Sequence, residues 1–511
     1  MFSVSSVDTL SFSSSSCSFV SFVDKIFLSL YSCIEKIRQH TMNKIHPRDL
    51  AHAGREPPIP VQLVLGRDKP PEVGAWLRVL PGKRYVGRAT WKERQVLIKV
   101  FVGPGAARMA NAERAGIERL RRAGLPTPGL LGIGMEGAKG AAWVITAFFP
   151  AARPLSQAAG LSVEGQSRLP ACPEALLAAS RTIARMHNAG LMQDDIHPDN
   201  FLYHENDCLV VDAAEVQPIP RINALFRITR NTGKWLAQLP ENWWAPVLGA
   251  YSSQADHRLD YRRVREQAIR WRAWRARDLG LKSMRDCSLF RVHGTPTRFV
   301  SCWRGEYGDL APILQAPDRA MADCRLLKDG GTATVGLLTR NGRRLVIKRY
   351  NIKNRWHRLR RLLRPSRARH SWIAGHRLRT LGIDTPRPLA MIEERRWIFR
   401  GRGFLITEYC PGKNLIDIGH DKKAEEPVAI VEQIARVFHL FRRYHITHGD
   451  LKATNLLWDG GLSIIDLDAV SFFGNKFRWK RSHHKDIERL SRNWPAGSPM
   501  RRLLSDALVE P

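Results

Sequence analysis

The sequence contains no apolar segment long enough to span a membrane. A spanning helix needs roughly 18 to 20 apolar residues, and the best candidate, residues 19–34, is interrupted by Asp24 and Lys25. The 8 cysteines include no Cys-x-x-Cys pair and no Cys/His cluster at the spacing of zinc ligands, which argues against a disulfide framework and a structural metal. We therefore expect a protein of a reducing cytoplasm that does not cross a membrane.

Acidic residues are scarce relative to basic ones. Against 81 lysines and arginines stand 48 aspartates and glutamates, which gives a formal charge of +33. This excess predicts an anionic partner or working surface, such as acidic lipid headgroups, a phosphorylated glycan or nucleic acid. Because no recognised nucleic-acid-binding motif accompanies the charge, a nucleic acid is the least favoured of the three.

The N-terminal stretch, residues 1–45, is rich in serine and then briefly amphipathic, with apolar residues from Phe19 to Ile37 on one helical face. It lacks the basic start of a signal peptide. The stretch is either a membrane-surface anchor or a leader that precedes a native start at Met42. It is left out of the fold prediction, which begins near residue 60.

Residues 448–455 have the pattern of a phosphotransferase catalytic loop. Asp450 and Asn455 are five residues apart, and a β-rich run leads from them to Asp466. In phosphoryl transfer from ATP, an aspartate at the first position orients and deprotonates the acceptor hydroxyl. The asparagine and the second aspartate hold Mg²⁺ against the phosphates. The pattern therefore predicts Asp450 as the catalytic residue and Asn455 and Asp466 as metal ligands.

The same pattern occurs earlier in the chain. Asp195 and Asn200 keep the five-residue spacing, and a second apolar run ends in Asp212. These residues are predicted to have the same three roles. Two such loops in one chain indicate an internal duplication.

A lysine within an apolar strand precedes each loop. Lys99 lies in residues 95–101 and Lys348 in residues 345–348, where each is predicted to contact the ATP phosphates. Glu113, in the helical pattern that follows Lys99, is the predicted ion-pair partner of that lysine. The corresponding residues of the two halves are 249 to 255 positions apart, so the halves are related.

Each half also departs from the pattern. The first loop begins with Gln193 where the second has His448, which predicts altered packing around the first loop. In the second half, Ser371 stands where Glu113 stands in the first. Either another carboxylate pairs with Lys348, or the second half is impaired. We hypothesise that the second half performs most of the chemistry.

A glycine-containing turn precedes Lys348 in the second half. Gly330, Gly331 and Thr332 separate two apolar strands, and glycines let a backbone approach phosphates closely. We predict that these three residues contact ATP, although a Gly-Gly pair between strands is also typical of an ordinary hairpin.

Two arginine-rich stretches, residues 257–277 and 355–369, have two interpretations. Each is either a face that binds phosphates or an anionic surface, or a solvated face of an amphipathic helix. Composition does not separate these alternatives.

The motifs resemble the protein-kinase-like superfamily and, within it, the lipopolysaccharide core (Kdo/heptose) kinases. The resemblance rests on residues 448–455, the strand 464–468, the Gly-Ile-x-Thr-Pro ending at 382–386 and the short tail with residues 486–490. It implies an α+β fold of two tandem bilobal units, at residues 60–280 and 283–511. Each unit has a small antiparallel β lobe and a short helical lobe.

The resemblance also implies a function. It is ATP- and Mg²⁺-dependent phosphorylation of a heptose or Kdo hydroxyl in the inner core of lipopolysaccharide, at the inner face of a bacterial inner membrane. The partner would be this anionic glycolipid or an acidic membrane surface. The alternatives are a protein Ser/Thr kinase, disfavoured by the 45 residues that follow Asp466, and a pseudokinase scaffold that binds an anionic surface.

Overall fold

The computed structural model describes residues 43–66, 69–137, 140–161, 171–351, 365–396, 399–419 and 426–508. The amphipathic face from Phe19 to Ile37 and residues 355–364 of the second arginine-rich stretch lie outside these ranges. The chain forms two compact units. Among the described residues, one unit contains those up to Ile117 together with Pro128–Phe149, and the other contains Glu118–Thr127 and those from Pro150 onward. The mixed α+β content predicted from the sequence is confirmed.

The first compact unit is built on a seven-stranded sheet with the order β1-β2-β3-β4-β5-β7-β6. Its strands are β1 (Asn43–Ile45), β2 (Val61–Leu63), β3 (Glu72–Leu80), β4 (Arg84–Trp91), β5 (Arg94–Val102), β6 (Leu130–Glu136) and β7 (Ala141–Ala147). Helix α1 (Ala106–Arg122) follows β5 and extends into the second compact unit. Alternation along β5 buries Val96, Ile98 and Val100 in the core of the sheet.

The edge of this sheet differs from the predicted antiparallel lobe. Strand β1 pairs in parallel with β2, because a 3₁₀ helix at Pro47–His52 carries the chain back before β2 begins. Leu50 of that 3₁₀ helix is fully buried. Residues 43–52 therefore belong to the folded region, although the sequence pattern placed its start near residue 60.

The rest of the first half is mainly helical and belongs to the second compact unit. Its strands are β8 (Arg153–Pro154), β9 (Leu191–Gln193), β10 (Phe201–His204), β11 (Asp207–Val210) and β12 (Val216–Pro218). Its helices are α2 (Leu155–Ala158), α3 (Glu174–Asn188), α4 (Ala224–Leu236), α5 (Trp244–Ser252) and α6 (Tyr261–Lys282).

A second seven-stranded sheet opens the second half, with the order β13-β14-β18-β19-β17-β16-β15. Its strands are β13 (Phe290–Gly294), β14 (Arg298–Trp303), β15 (Arg325–Gly330), β16 (Ala333–Arg340), β17 (Arg343–Tyr350), β18 (Pro388–Arg396) and β19 (Phe399–Glu408). Helices α7 (Tyr307–Gln315), α8 (Pro317–Ala322) and α9 (Arg367–Thr380) accompany it. The segment before β15, whose sequence predicts no particular element, supplies β13, β14, α7 and α8.

The chain then continues into a second mainly helical region. Its elements are β20 (Lys413–Asn414), α10 (Leu415–Gly419), α11 (Glu426–Tyr444), β21 (Ile446–Thr447), β22 (Leu456–Trp458), β23 (Leu462–Ile464), β24 (Ser471–Phe472), α12 (Lys476–Ser491) and α13 (Pro499–Leu508). Among the described residues, no helix combines the length and the apolar character that a bilayer crossing requires.

Helix α6 links the two halves of the chain. It continues through Gly280, which the sequence pattern had suggested as a boundary, and ends at Lys282. Ala276 and Leu279 of this helix lie in hydrophobic clusters formed otherwise by residues of the second half. Helix α6 packs on α9, and a Cβ added to Gly280 would lie 3.0 Å from Cγ2 of Ile373.

Candidate active site

Lys348, on strand β17, points toward two aspartates that follow strand β23. Its Nζ lies 2.6 Å from Oδ1 of Asp466 and 3.1 Å from Oδ1 of Asp468. Burial alone would raise the pKa of Asp466, but the positive charge of Lys348 and its hydrogen bond lower that pKa below the ordinary value. The predicted lysine and the predicted metal ligand therefore lie next to each other.

Asp468 is the second carboxylate that the sequence left undetermined. Its Oδ1 accepts hydrogen bonds from the Tyr350 hydroxyl at 2.7 Å and from the Ser371 hydroxyl at 2.8 Å. Ser371 is the residue of α9 that replaces the expected glutamate. The helix thus supplies a hydroxyl, and the carboxylate beside Lys348 comes from the segment after β23.

The backbone at Asp466 explains how Asp468 reaches this position. Asp466 has a left-handed conformation, with φ 62° and ψ 63°, and a short 3₁₀ helix at Leu467–Ala469 follows it. This turn directs the Asp468 side chain back toward β17 and α9. The Asp-x-Asp spacing was visible in the sequence, but nothing in it distinguished a lysine partner from a second metal ligand.

The catalytic loop of the second half is fixed by its backbone. The backbone N–H groups of His448 and Gly449 donate to the Asp486 carboxylate on α12, at 2.6 and 3.0 Å. Gly449 has φ +79°, and a Cβ there would lie 2.6 Å from the Ala469 carbonyl oxygen. Glycine is therefore required at this position.

Two titratable groups beneath the loop are buried. Burial lowers the pKa of His448, against the opposing effect of its hydrogen bond to the Ile465 carbonyl. Burial also raises the pKa of Asp486, against the opposing effect of the two loop N–H groups. Asp486 had no predicted role. Its spacing from the buried Trp479 and His483, seven and three residues before it, nevertheless places it on the buried face of α12.

Asp450 and Asn455 lie in the loop between β21 and β22. The Nδ2 group of Asn455 donates to the Asp450 carbonyl at 2.9 Å, which closes the loop and leaves the amide oxygen as the acceptor of this side chain. The Asp450 carboxylate lies 3.0 Å from the Lys452 ammonium group. This carboxylate is partly exposed, so an acceptor can reach it.

A cleft of about 730 Å³ joins these groups. The charged and polar part of its lining includes Lys348, Asp450, Asn455, Asp466 and Asp468. Val335, Val346, Leu405 and Leu457 provide an apolar part suited to a flat ring. Of the predicted hairpin, Gly330 ends β15, Gly331 lies in the turn and Thr332 lines the cleft.

In the first half, Lys99 and Glu113 form the predicted ion pair within the first compact unit. The Lys99 Nζ lies 2.5 Å from Glu113 Oε1, and the residues are 6% and 2% exposed. A buried charge without its partner is strongly unfavourable, so each residue requires the other. The other predicted residues of this half, Asp195, Asn200 and Asp212, belong to the second compact unit.

A hydrogen bond within the second loop has a counterpart within the first loop. Asn200 Nδ2 donates to the Asp195 carbonyl at 2.7 Å, as Asn455 does to Asp450. Asp212 is also left-handed, with φ 56°. Gln193 donates to the Val211 and Asp212 carbonyls at 3.4 and 3.2 Å, so the glutamine connects the loop to the strand before Asp212 much as His448 does in the second half.

The hydrogen bonds that hold the first loop run in the opposite direction from those that hold the second. Helix α4 presents donors to the loop carbonyls, with Asn231 Nδ2 2.8 Å from the Gln193 oxygen and Lys234 Nζ 3.0 Å from the Asp194 oxygen. In the second half, loop N–H groups face a carboxylate instead. Gly449 permits that arrangement through its positive φ, whereas Asp194 is not among the positive-φ residues of the described chain. The altered packing predicted at Gln193 is thus a different backbone orientation.

A buried histidine helps to hold the first loop. His187 lies 3.1 Å from Oδ1 of Asn231 and 2.7 Å from the Tyr251 hydroxyl. A neutral ring with its proton on Nε2 donates to the Asn231 oxygen and accepts from the tyrosine hydroxyl at Nδ1. Burial lowers the pKa of His187 to about 4.

This pKa predicts a pH dependence of stability. Between pH 6.5 and 4 the unfolded chain binds a proton at His187 that the folded chain does not, so the free energy of unfolding falls as the pH falls. The loss is on the order of 3 kcal/mol. Urea unfolding at pH 7 and pH 4.5 measures it, and His187→Gln should lose less stability over this range. An equal loss in both proteins would contradict the assignment.

A lysine-bearing sheet, a loop with an aspartate and an asparagine, and a strand that leads to a second aspartate together define a kinase of the protein-kinase-like class. A model of the lipopolysaccharide kinase (Kdo/WaaP) family matches residues 93–219 and 328–503, which is more than half of the chain. The chain therefore belongs to the lipopolysaccharide kinase (Kdo/WaaP) family and is a kinase. The resemblance found in the sequence is confirmed.

Solved structures are similar over parts of the chain. WaaP in complex with acyl carrier protein is 22% identical, with 38% of this chain and 80% of that chain covered and a TM-score of 0.29. A crystal structure of WbdD is 17% identical, with 40% and 46% covered and a TM-score of 0.27. Vaccinia related kinase 3 is 10% identical, with 34% and 56% covered and a TM-score of 0.25. This chain thus spans about half of the WbdD chain and of the vaccinia related kinase 3 chain. A comparison with curated proteins found no match.

Proposed function

We propose that this kinase transfers the γ-phosphoryl group of ATP, with Mg²⁺, to a heptose or Kdo hydroxyl of the lipopolysaccharide inner core. The observation that carries the proposal is the cleft of the second half, which brings Lys348, Asp450, Asn455 and Asp466 to one cavity of about 730 Å³. Membership of the lipopolysaccharide kinase family supports the acceptor class.

The proposed roles follow from position in the cleft. Lys348 binds the α- and β-phosphates, and Asp468, held by Tyr350 and Ser371, keeps its ammonium group in place. The hairpin of Gly330, Gly331 and Thr332 covers the phosphates. Asp450 orients the acceptor hydroxyl and accepts its proton as the oxygen attacks the γ-phosphorus.

Asp466 and Asn455 fit a magnesium site. The Asp466 carboxylate and the Asn455 amide oxygen are hard oxygen ligands, and Mg²⁺ is commonly held by one or two such groups together with substrate phosphates. The hydrogen bond from Asn455 Nδ2 to the Asp450 carbonyl fixes which atom of the amide is available. The bound ion would neutralise charge on the phosphates.

We further propose that the chain consists of two kinase-like units, at residues 60–280 and 283–511, preceded by an N-terminal extension. The family model matches once in each range. Each range also holds a seven-stranded sheet, although the first of these sheets begins with β1, before residue 60. In the first kinase-like unit, residues 60–280, Lys99 and Glu113 would bind ATP. Asp195 would be the catalytic residue, and Asn200 and Asp212 would hold the metal ion.

A paired substitution tests the division of labour between the units. The first loop has a different backbone orientation from the second. We therefore expect Asp195→Ala to keep most of the wild-type turnover and Asp450→Ala to lose most of it. Displacement of a catalytic group by about 1 Å can cost on the order of a hundredfold. Both variants are assayed on one acceptor at saturating ATP. Loss of activity in Asp195→Ala with full activity in Asp450→Ala would reverse the order.

The formal charge of +33 supports a peripheral position at an anionic membrane face, on the cytoplasmic side of the inner membrane. Arg367, which lies in the described part of the second arginine-rich stretch, lines the cleft. Sedimentation with vesicles that contain phosphatidylglycerol, at low and high salt, tests this position. Binding that does not weaken with salt would contradict an electrostatic attachment.

Labelled ATP tests the acceptor. The protein is incubated with Mg²⁺ and ATP labelled at the γ-phosphate, and with lipopolysaccharide that lacks core phosphate, a Ser/Thr peptide or RNA. We expect label in lipopolysaccharide alone, and none with Asp450→Ala. Label in the peptide alone would favour the protein-kinase alternative. Absence of transfer, with retained binding to anionic surfaces, would favour the scaffold.

A further inference from the structure

A second cavity, of about 890 Å³, lies in the sheet region of the second half. Arg349 of β17 lines it, whereas the adjacent Lys348 lines the nucleotide cleft. Neighbouring residues of a strand point to opposite faces of the sheet, so the cavity lies on the face away from the cleft. Four further arginines line it: Arg298, Arg319, Arg395 and Arg402.

The carboxylates around this cavity are fewer than the arginines. Asp318 is shared, with Oδ1 3.4 Å from Arg349 NH1 and Oδ2 3.0 Å from Arg402 NH2. Arg402 also pairs with Glu394 at 2.9 Å. Beyond these groups, Arg395 lies 2.8 Å from the buried Glu393.

The remaining two arginines have no carboxylate partner among the described residues. The guanidinium group of Arg298 donates to the main-chain carbonyls of Leu314 and Gln315, which are neutral. Arg319 is exposed. Five arginines therefore face three carboxylates, and the cavity keeps an excess of about two positive charges.

Hydrogen-bonding capacity also remains. The Nε atoms of Arg298 and Arg395 are buried, and the structure shows no acceptor for either within its described ranges. A buried donor without an acceptor is unfavourable, and a charged donor more so. The side chains of Arg349 and Arg402 are 29% and 41% exposed, so a ligand with several strong acceptors can reach their guanidinium groups.

We propose that this cavity binds a phosphate monoester. Such a group carries between about −1.5 and −2 charges at pH 7 and presents three acceptor oxygens, which matches the excess charge and the number of converging guanidinium groups. Planar guanidinium groups bind phosphate in a bidentate manner. Either a soluble sugar phosphate or the headgroup of a phosphatidic lipid offers this chemistry. The site is separate from the nucleotide cleft and does not depend on the proposed acceptor.

Calorimetric titration of the full chain with glucose 6-phosphate tests the soluble source, and sedimentation with phosphatidylcholine vesicles containing phosphatidic acid tests the lipid source. The Arg349→Gln/Arg402→Gln double variant should bind about a hundredfold more weakly, at about tenfold for each charged contact. The matched control, Arg325→Gln/Arg340→Gln, removes two exposed arginines from the same sheet and should bind as the wild type does. Both titrations are repeated in Lys348→Met to exclude binding in the nucleotide cleft.

Because the double variant also breaks ion pairs, Arg319→Gln serves as a second test. Arg319 has no ion pair in the described structure, so its loss should weaken binding several-fold without changing thermal unfolding. Binding of glucose 6-phosphate alone would identify a soluble sugar phosphate as the ligand, and binding to the vesicles alone would identify the lipid headgroup. Absence of binding by the wild type to both, or equal binding by the two double variants, would overturn the proposal.

Discussion

Asp450→Ala is expected to lower kcat by about 10²- to 10⁴-fold, the range of a lost general base. The carboxylate is partly exposed, and its ionic contacts are to Lys452 in the loop and to Arg489 on helix α12. Its removal therefore takes away a group that acts on the acceptor and leaves the core intact. The KM for ATP should change little, because Asp450 does not contact the nucleotide in the proposed arrangement. Steady-state kinetics with the lipopolysaccharide acceptor measures both constants.

The control for this experiment is Asp506→Ala, which removes an exposed aspartate from helix α13. It should keep the wild-type kcat, and both variants should unfold at the wild-type temperature. Asp466→Ala should also abolish most turnover, but its effect should depend on Mg²⁺ concentration, because Asp466 is the proposed metal ligand. Full activity in either Asp450→Ala or Asp466→Ala would refute the assignment of the cleft.

Asp468→Ala is expected to lower kcat by about 10- to 100-fold and to raise the KM for ATP. Asp468 touches no reacting atom in the proposed mechanism, and it acts by positioning Lys348. Asp468→Asn keeps the acceptor for Tyr350 and Ser371 but removes the charge, so it should retain the fold and still lose activity. This comparison separates the electrostatic role of the carboxylate from a structural role.

A rescue experiment sharpens the test. In Asp468→Ala/Ser371→Glu, the carboxylate returns to Lys348 from helix α9, in the way that helix α1 supplies Glu113 to Lys99 in the first half. We expect this double variant to recover part of the lost kcat. Wild-type kinetics in Asp468→Ala would show that Lys348 needs no carboxylate from this position.

The main residues of the site could be predicted from the sequence because they lie in local motifs. Asp450 and Asn455 share one loop, and alternation along a short strand was sufficient to select Lys348 and Lys99. The partner of Lys348 was not predictable, because its contact with Asp468 joins residues 120 positions apart. From the sequence alone, Asp466 and Asp468 are equally suitable as metal ligands. Only the backbone conformation at Asp466 distinguishes them.

The fold was predicted to a similar degree. Periodicity indicated β5 and β17, but it could not assign the segment before β15, whose strands β13 and β14 are added to the outer edge of a sheet built from later residues. The sequence also could not predict whether hydrogen-bond donors or acceptors face each loop. This depends on whether Asp486 or Asn231 faces the loop, and each of these residues lies on a helix that begins about 20 to 30 residues after its loop.

The packing of α6 on α9 bears on where this chain could be divided or exchanged. Ala276 and Leu279 complete hydrophobic clusters of the second half, and the carbonyl of Ser283 accepts hydrogen bonds from Ser301 and Trp372. Cutting the chain after Lys282 would separate Ala276 and Leu279 from these clusters and expose the side of α9 that α6 covers. The two halves are therefore coupled at this junction: exchange of either half alone would also have to preserve the surface that α6 shares with α9.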